Sequence, residues 1–149
     1  MSPDERVARL RQIPVLAELG ESTLERILRV SSEFECQAGQ VLIQADDPGA
    51  GMFVLEEGTV VVEARGSSTI ELGPGEIIGE LSLLVPESTR VARVRATTPV
   101  RCLAIDRAAF EELLDDEPAL ALAMLRVIAQ RLWNVMRGPL GGTERPAQA

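Results

Sequence analysis

The middle of the chain is divided into short apolar runs by glycine and proline, and this pattern limits the fold more than any other feature. From residue 33 to residue 105 the runs are rich in β-branched side chains and recur about every 8 to 12 residues. Separators such as Gly73-Pro74-Gly75 supply turns. The pattern predicts a β-sandwich or barrel, closed into a roll that leaves few exposed edges, with strands at 41–43, 52–55, 59–62, 69–72, 91–96 and 100–105.

Two helix-start patterns precede this β region. Ser2 is followed by Pro3, at the first helical position, and by Glu5, three residues after the cap. Ser22 and Glu25 repeat the capping-box spacing ahead of a second apolar face. We therefore expect the chain to open with helices over residues 1–31.

Helical patterns return after the β region. Asp106 is placed to cap a short helix, and Pro118 to start a longer one that ends at Arg137, before Gly138-Pro139. The longer helix is apolar nearly all round, so we expect the β-roll to cover one side and the same helix of a second subunit to cover the other, giving a homodimer. One domain is expected over 1–137, with the β-roll at 32–105, C-terminal helices at 106–137 and a flexible tail at 138–149.

Composition removes most enzyme classes. The 149 residues include 15 basic and 23 acidic side chains, a formal charge of -8 that disfavours binding to DNA by bulk charge. Every basic residue is arginine and histidine is absent, so imidazole catalysis, imidazole metal sites and lysine Schiff bases are excluded. We expect no enzyme activity and no cofactor.

Two cysteines are too few for a disulfide framework, which favours reduced thiols. The first residues are charged where a signal peptide needs an apolar core, and no run of 18 uncharged apolar residues occurs. These features predict a soluble cytoplasmic protein with no membrane partner.

The segment 75–96 carries the residues with ligand chemistry. Gly79 followed by a helix start would present free backbone N–H groups, which suit a single phosphate. Arg90, eleven residues further on, could bind the same anion with two hydrogen bonds. Glu80 could accept a hydrogen bond from a sugar hydroxyl. Together they predict a ligand with one phosphate and a nearby ribose hydroxyl.

This segment resembles the phosphate-binding cassette of the cyclic nucleotide-binding domain family, which includes the catabolite activator protein and the regulatory subunits of cyclic-AMP-dependent protein kinase. The cassette pattern is roughly G-E-L-x-L, a short variable loop and R-x-A-x-V, and residues 79–83 and 90–94 fill it in order. The resemblance covers residues 10 to 137. It implies an eight-stranded, jelly-roll-like β-roll with N-terminal helices and two C-terminal helices.

The resemblance also implies roles for individual residues. Glu80 is expected to bind the ribose 2′-hydroxyl and Arg90 the cyclic phosphate. The ligand-binding set also includes the backbone at Gly79, Leu81 and Ser82, together with Val91 and Ala92. Val91 stands after the arginine, where cGMP-selective members often have threonine. Since valine cannot form a hydrogen bond, cAMP is expected in preference to cGMP.

Each of these interpretations has a simpler alternative. Glu80 and Arg90 would also fit a structural ion pair. Arg93 and Arg95 alternate with Ala92 and Val94, which predicts that both arginines lie on the solvated face of their strand.

Trp133 fits either a lid over the base or helix packing, and Asn134 beside it is a possible base contact. In the bacterial activator the final helix supplies hydroxyl groups that contact adenine. This part of the last helix has no hydroxyl side chain.

The sequence supports two functions. The first is a non-catalytic cyclic-nucleotide sensor that relays binding through its C-terminal helices to an unknown protein effector. The alternative is the same fold used as a dimerisation or interaction module that no longer binds nucleotide. Only twelve residues follow Arg137, too few for a helix-turn-helix, so a stand-alone bacterial member without a DNA-binding domain is expected.

Overall fold

The computed structural model of the chain describes residues 2–44, 51–64, 69–79 and 92–141. The helices are α1 (Pro3–Arg11), α2 (Glu21–Val30), α3 (Arg107–Asp116) and α4 (Pro118–Gly141), with a 3-10 turn at Pro14–Leu16. The strands are β1 (Ser32–Cys36), β2 (Val41–Ile43), β3 (Gly51–Glu57), β4 (Val60–Ala64), β5 (Thr69–Leu72), β6 (Ile77–Ile78), β7 (Ala92–Ala96) and β8 (Val100–Asp106). The predicted β-roll between N-terminal and C-terminal helices is confirmed.

The strands form two antiparallel four-stranded sheets within the described residues. Sheet A has the order β1-β8-β3-β6, and sheet B has the order β2-β7-β4-β5. The face between the sheets buries Leu55, Val60, Ile78, Val94 and Cys102. The opposite face of sheet A is covered by helices. Sheet A is therefore buried on both faces, which explains why β3 and β8 read as nearly continuous apolar runs.

A second core joins the helices to sheet A. From the sheet it includes Val54 and Leu103, from α1 Leu10, and from α3 Phe110. The two residues of β6 are divided between the cores: Ile77 lies in the helix-side core and Ile78 in the core between the sheets. The strand that precedes the predicted cassette is thus fixed on both faces.

Helix capping follows the sequence at two of the three sites. The Ser2–Glu5 capping box is present, with Ser2 N donating to Glu5 Oε1 at 2.7 Å and Glu5 N donating to Ser2 Oγ at 3.2 Å. Asp106 caps α3 by accepting from Ala109 N at 2.8 Å.

The third prediction, a cap at Ser22, is wrong. Gly20 is the N-cap of α2, and Ser22 lies inside the first turn. Thr23 in the same turn donates its hydroxyl to Glu117 Oε1 at 2.7 Å, a tertiary hydrogen bond.

The predicted end of the last helix is also wrong. The backbone of α4 stays helical through Gly141, four residues beyond Arg137. Glycine and proline lower helix propensity, yet the helix continues through both, and helix ends are where local patterns are least exact. Residues 142–149 of the predicted tail lie outside the described part of the chain.

Both faces of α4 are apolar. Leu120 and Met124 are buried in the helix-side core, and Val127 packs against it. Much of the opposite face is exposed, at Leu122, Leu125, Leu132, Trp133 and Met136, and Val135 near the end of the helix is exposed as well. By length and composition alone, residues Pro118–Arg137 could also cross a membrane, with a mean hydropathy of 1.2. In the structure one face of this helix is docked on the β-roll.

Substitution of Gly58 tests how closely the chain packs against the start of β8. Its φ is +91°, and a Cβ built there would lie 2.1 Å from the carbonyl oxygen of Pro99. Gly39 has the same φ and nothing within 4 Å of such a Cβ. We expect Gly39→Ala to lower the free energy of unfolding by about 1–2 kcal/mol through backbone strain alone. Gly58→Ala should cost about 1–3 kcal/mol more because of the clash. Urea denaturation of both variants measures the difference, and equal losses would contradict the assigned packing of Gly58 against the start of β8.

The two thiols, Cys36 and Cys102, are free and buried. Burial raises the pKa of the Cys102 thiol to about 12 from 9.0, and burial also raises the pKa of Cys36. A raised folded-state pKa favours folding below the pKa of the unfolded thiol and loses that contribution as pH rises toward 12.

We expect neither thiol to react with a disulfide reagent near neutral pH until the protein unfolds. Thiol titration in native buffer and in urea checks this expectation. Rapid reaction of the native protein would show that the core between the sheets is open.

Candidate functional site

The described ends of the predicted cassette lie in different sheets. Gly79 follows β6, the last strand of sheet A, and has a φ of 89°, the left-handed region that favours glycine. Ala92 begins β7, an inner strand of sheet B. Residues 80–91 therefore connect the two sheets. The predicted site residues Glu80, Leu81, Ser82, Arg90 and Val91 lie in this connection, outside the described residues.

Strand β7 confirms the prediction for its two arginines. Ala92, Val94 and Ala96 are buried, whereas the arginines between them lie on the other face. Arg93 Nε donates to Glu63 Oε1 at 2.8 Å, and Arg95 Nη2 to Glu63 Oε2 at 3.1 Å. These hydrogen bonds lower the pKa of Glu63, and the bond from Arg95 has the larger effect. Both guanidinium groups thus neutralise a surface carboxylate on β4.

Arg131, on α4, is a residue that the sequence patterns did not bring out. Its Nη2 donates to the carbonyl oxygen of Ile77 at 2.7 Å and to Glu76 Oε1 at 3.3 Å. These contacts bring the last helix to the strand that leads into the cassette. A signal was present in the sequence, because Arg131 continues the spacing of the buried face through Leu120, Met124 and Val127, where a charged residue needs a partner.

Trp133 and Asn134 lie close to Arg131 in sequence but make different contacts. The Trp133 side chain is 58% exposed. Residues two positions apart on a helix point about 200° apart, so Trp133 faces away from the side on which Arg131 meets the roll. Asn134 Oδ1 accepts a hydrogen bond from Gln130 Nε2 at 3.1 Å along the helix surface. The predicted roles of Trp133 and Asn134 at the base stay predictions.

The charged cleft between α1 and sheet A is a separate feature. Its volume is about 240 Å³, and its lining includes Arg6, Arg9, Glu33 and Arg101. These groups are engaged in ion pairs: Arg6 with Glu33 at 3.4 Å, and Arg9 and Arg101 with Glu57 at 3.1 and 2.6 Å. The lining of this cleft contains neither Gly79 nor Ala92, and its arginines are already ion-paired, so we assign the cleft a structural role.

Within the described residues, no group of three or more cysteine or carboxylate side chains is placed to hold a metal ion. Comparison with known proteins shows the family of the chain. Residues 33–117 match the family of the cyclic nucleotide-binding domain. The chain belongs to this family.

Among its relatives is a glutaminase of Bradyrhizobium diazoefficiens, 37% identical over 123 residues. A cyclic nucleotide-gated potassium channel of Mesorhizobium japonicum is 33% identical over 119 residues. The matches cover 79% and 80% of this chain but only 19% and 33% of the relatives.

The crystal structure of the catabolite activator protein of Thermus thermophilus superposes with a TM-score of 0.72 at 25% identity. The match covers 82% of this chain and 59% of that protein. The resemblance predicted from residues 79–94 is therefore confirmed at the level of family and fold, and cyclic nucleotide binding is the property that names the family.

Proposed function

We propose that this chain is a sensor that binds cAMP in preference to cGMP through residues 79–92. The observation that carries the proposal is the pairing of family membership with the cassette sequence, whose described ends are the left-handed Gly79 and the buried Ala92. Glu80 would bind the ribose 2′-hydroxyl. Arg90 would bind the cyclic phosphate, because a guanidinium presents two parallel N–H groups to an anion. Leu81 and Ser82 would line the pocket.

The proposed preference for cAMP rests on Val91. A hydroxyl at this position could bond to the ligand, whereas valine offers only apolar contact. Trp133 and Asn134 are kept as possible contacts to the base: Trp133 is exposed on α4, and Asn134 is half-exposed and accepts a hydrogen bond from Gln130.

The proposed relay is a shift of α4 between two populated positions, biased by the nucleotide. A hinge is available at Glu117, which has non-helical dihedral angles of φ -126° and ψ 81° between α3 and α4. Arg26 of α2 binds Asp116 at 2.8 Å and Glu117 at 3.3 Å. These ion pairs fix the hinge to the N-terminal helices, so α4 can move beyond a fixed pivot.

We further propose that α4 pairs with a second copy of this chain. Its exposed face carries Leu122, Leu125, Ala129, Leu132 and Met136, at spacings of 3, 4, 3 and 4 residues. This is the heptad seam of a two-stranded coiled coil. The seam lies opposite the face docked on the roll, so one helix could serve both contacts.

The alternative is an interaction module that dimerises through this seam without binding nucleotide. The exposed face of α4 favours it independently of the cassette. In either case we propose a regulatory, non-catalytic domain in the cytoplasm that acts on a protein effector, with neither DNA nor membrane as partner.

Substitution of the cassette arginine separates the two functions. We expect isothermal titration of ligand-free protein to give tighter binding of cAMP than of cGMP, and Arg90→Ala to weaken binding about 100-fold by removing the phosphate partner. The matched control is Arg93→Ala, three residues away and bound to Glu63. Equal binding by wild type and Arg90→Ala would reject the assigned site, and no binding by folded wild type would favour the interaction module.

Dimerisation has its own test. Sedimentation equilibrium of the wild type should give a dimer. Leu125→Glu combined with Leu132→Glu should give a monomer, because two charges would be buried in the seam. Gln130→Glu is the control, as Gln130 is exposed and lies off the seam. A monomeric wild type at high protein concentration would contradict the coiled coil.

A further inference from the structure

The contact between Arg131 and β6 joins the moving helix of the proposed sensor to the strand that precedes its cassette. Arg131 Nη2 lies 2.7 Å from the Ile77 carbonyl oxygen and 3.3 Å from Glu76 Oε1. Its side chain is 31% exposed, against 45% for Glu76. The hydrogen bond to Ile77 is part-buried, so water replaces it poorly.

The Ile77 carbonyl is available because of strand geometry. Leu55 N of β3 donates to the carbonyl of Glu76 at 2.8 Å. In an antiparallel pair the backbone groups of successive residues point to opposite sides, so the Ile77 carbonyl points away from β3. In the described sheet no strand lies on that side of β6. Arg131 thus satisfies a carbonyl of the sheet edge that the ladder leaves open.

Because of the position of β6, the bond between Arg131 and Ile77 could pass a displacement of the cassette to α4. Ile77 and Ile78 are buried in different cores, and the left-handed Gly79 follows directly. Two residues fixed on both faces move together, so a displacement of the cassette at residue 80 would reach the Ile77 carbonyl. The same bond carries that displacement to α4, beyond the pivot at Glu117.

We infer that Arg131 is a positioning residue that latches α4 to the leading strand of the cassette and so couples nucleotide binding to helix movement. The coupling to nucleotide rests on the proposed function, whereas the latch itself rests on the observed contacts of Arg131. Nucleotide that holds the cassette inward favours the latched position of α4. By thermodynamic reciprocity, the factor by which nucleotide favours the latched position is also the factor by which the latch increases nucleotide affinity.

The test compares Arg131→Met with Arg126→Met, an exposed arginine on the same helix. Hydrogen exchange is measured first without nucleotide. We expect Arg131→Met to speed exchange at residues 77–79 and 124–137 by about tenfold, because a part-buried charge-assisted bond is lost. Arg126→Met should exchange like the wild type. Equal exchange in the two variants overturns the latch, whatever the protein binds.

The coupling is measured with Trp133, the one tryptophan of the chain. Wild-type emission should change on addition of cAMP, and the change should be reduced in Arg131→Met together with a roughly tenfold loss of affinity. A purely structural role would lower stability and leave the emission change intact, and that result would overturn the coupling. Arg131→Lys, which keeps one donor group, should recover part of the response.

Glu76→Gln keeps the test valid if Arg131→Met does not fold. It removes the half-exposed ion pair but leaves the bond to Ile77, so exchange at residues 77–79 should rise only about twofold. A tenfold rise would mean that the ion pair rather than the carbonyl bond forms the latch, which overturns the assignment. If wild type binds no cyclic nucleotide, the proposed function fails, while the exchange experiment still decides on the latch.

Discussion

Coverage of sheet A on both faces is the constraint on which the rest of the structure depends. A sheet whose two faces are apolar needs two layers against it. Sheet B supplies one layer, and helices from both ends of the chain supply the other. The N-terminal and C-terminal segments are therefore neighbours, and the ion pairs of Arg26 with Asp116 and Glu117 form where they meet.

In the proposed sensor, this arrangement would let the hinge and the cassette influence one another at a distance. The hinge lies at the end of α3, where α3 is packed into the helix-side core through Phe110 and Leu113. The cassette connects the two sheets. The helix α4 has contacts with both regions, since it starts at the hinge and meets β6 at Arg131. In the proposed relay, a change at the cassette would reach the hinge through α4.

Much of the roll can be predicted from sequence because its strands are bounded by glycine and proline. The predicted strands at 41–43 and 69–72 coincide with β2 and β5. Strand β1 is absent from the predicted set, because its sequence SEFEC buries only Cys36 and has little apolar alternation. Strand β6 has two residues, too few for any periodicity, and stands out in the sequence only as part of the cassette segment.

Tertiary contacts are the part of the structure that local sequence patterns do not contain. The hydroxyl of Thr23 bonds to Glu117, 94 positions away, and no local pattern contains that partner. The site is predicted by the family resemblance of residues 79–94, and residues 80–91 of it lie outside the described part of the chain. Helix spacing places Arg131 on the buried face of α4, but no local pattern contains its partners, Ile77 and Glu76, which are more than fifty positions distant.

The two proposed roles of α4 are linked by its geometry. A helix rises 1.5 Å per residue, so Arg131 lies about 20 Å from Pro118, and the exposed seam from Leu122 to Met136 spans about 21 Å. The latch and the seam are therefore carried by the same rigid segment, on opposite faces. If α4 turns far enough to break the bond to Ile77, the seam turns with it by the same angle. In a dimer that rotation has to be matched by the second copy, so pairing through the seam would make the two latches open together.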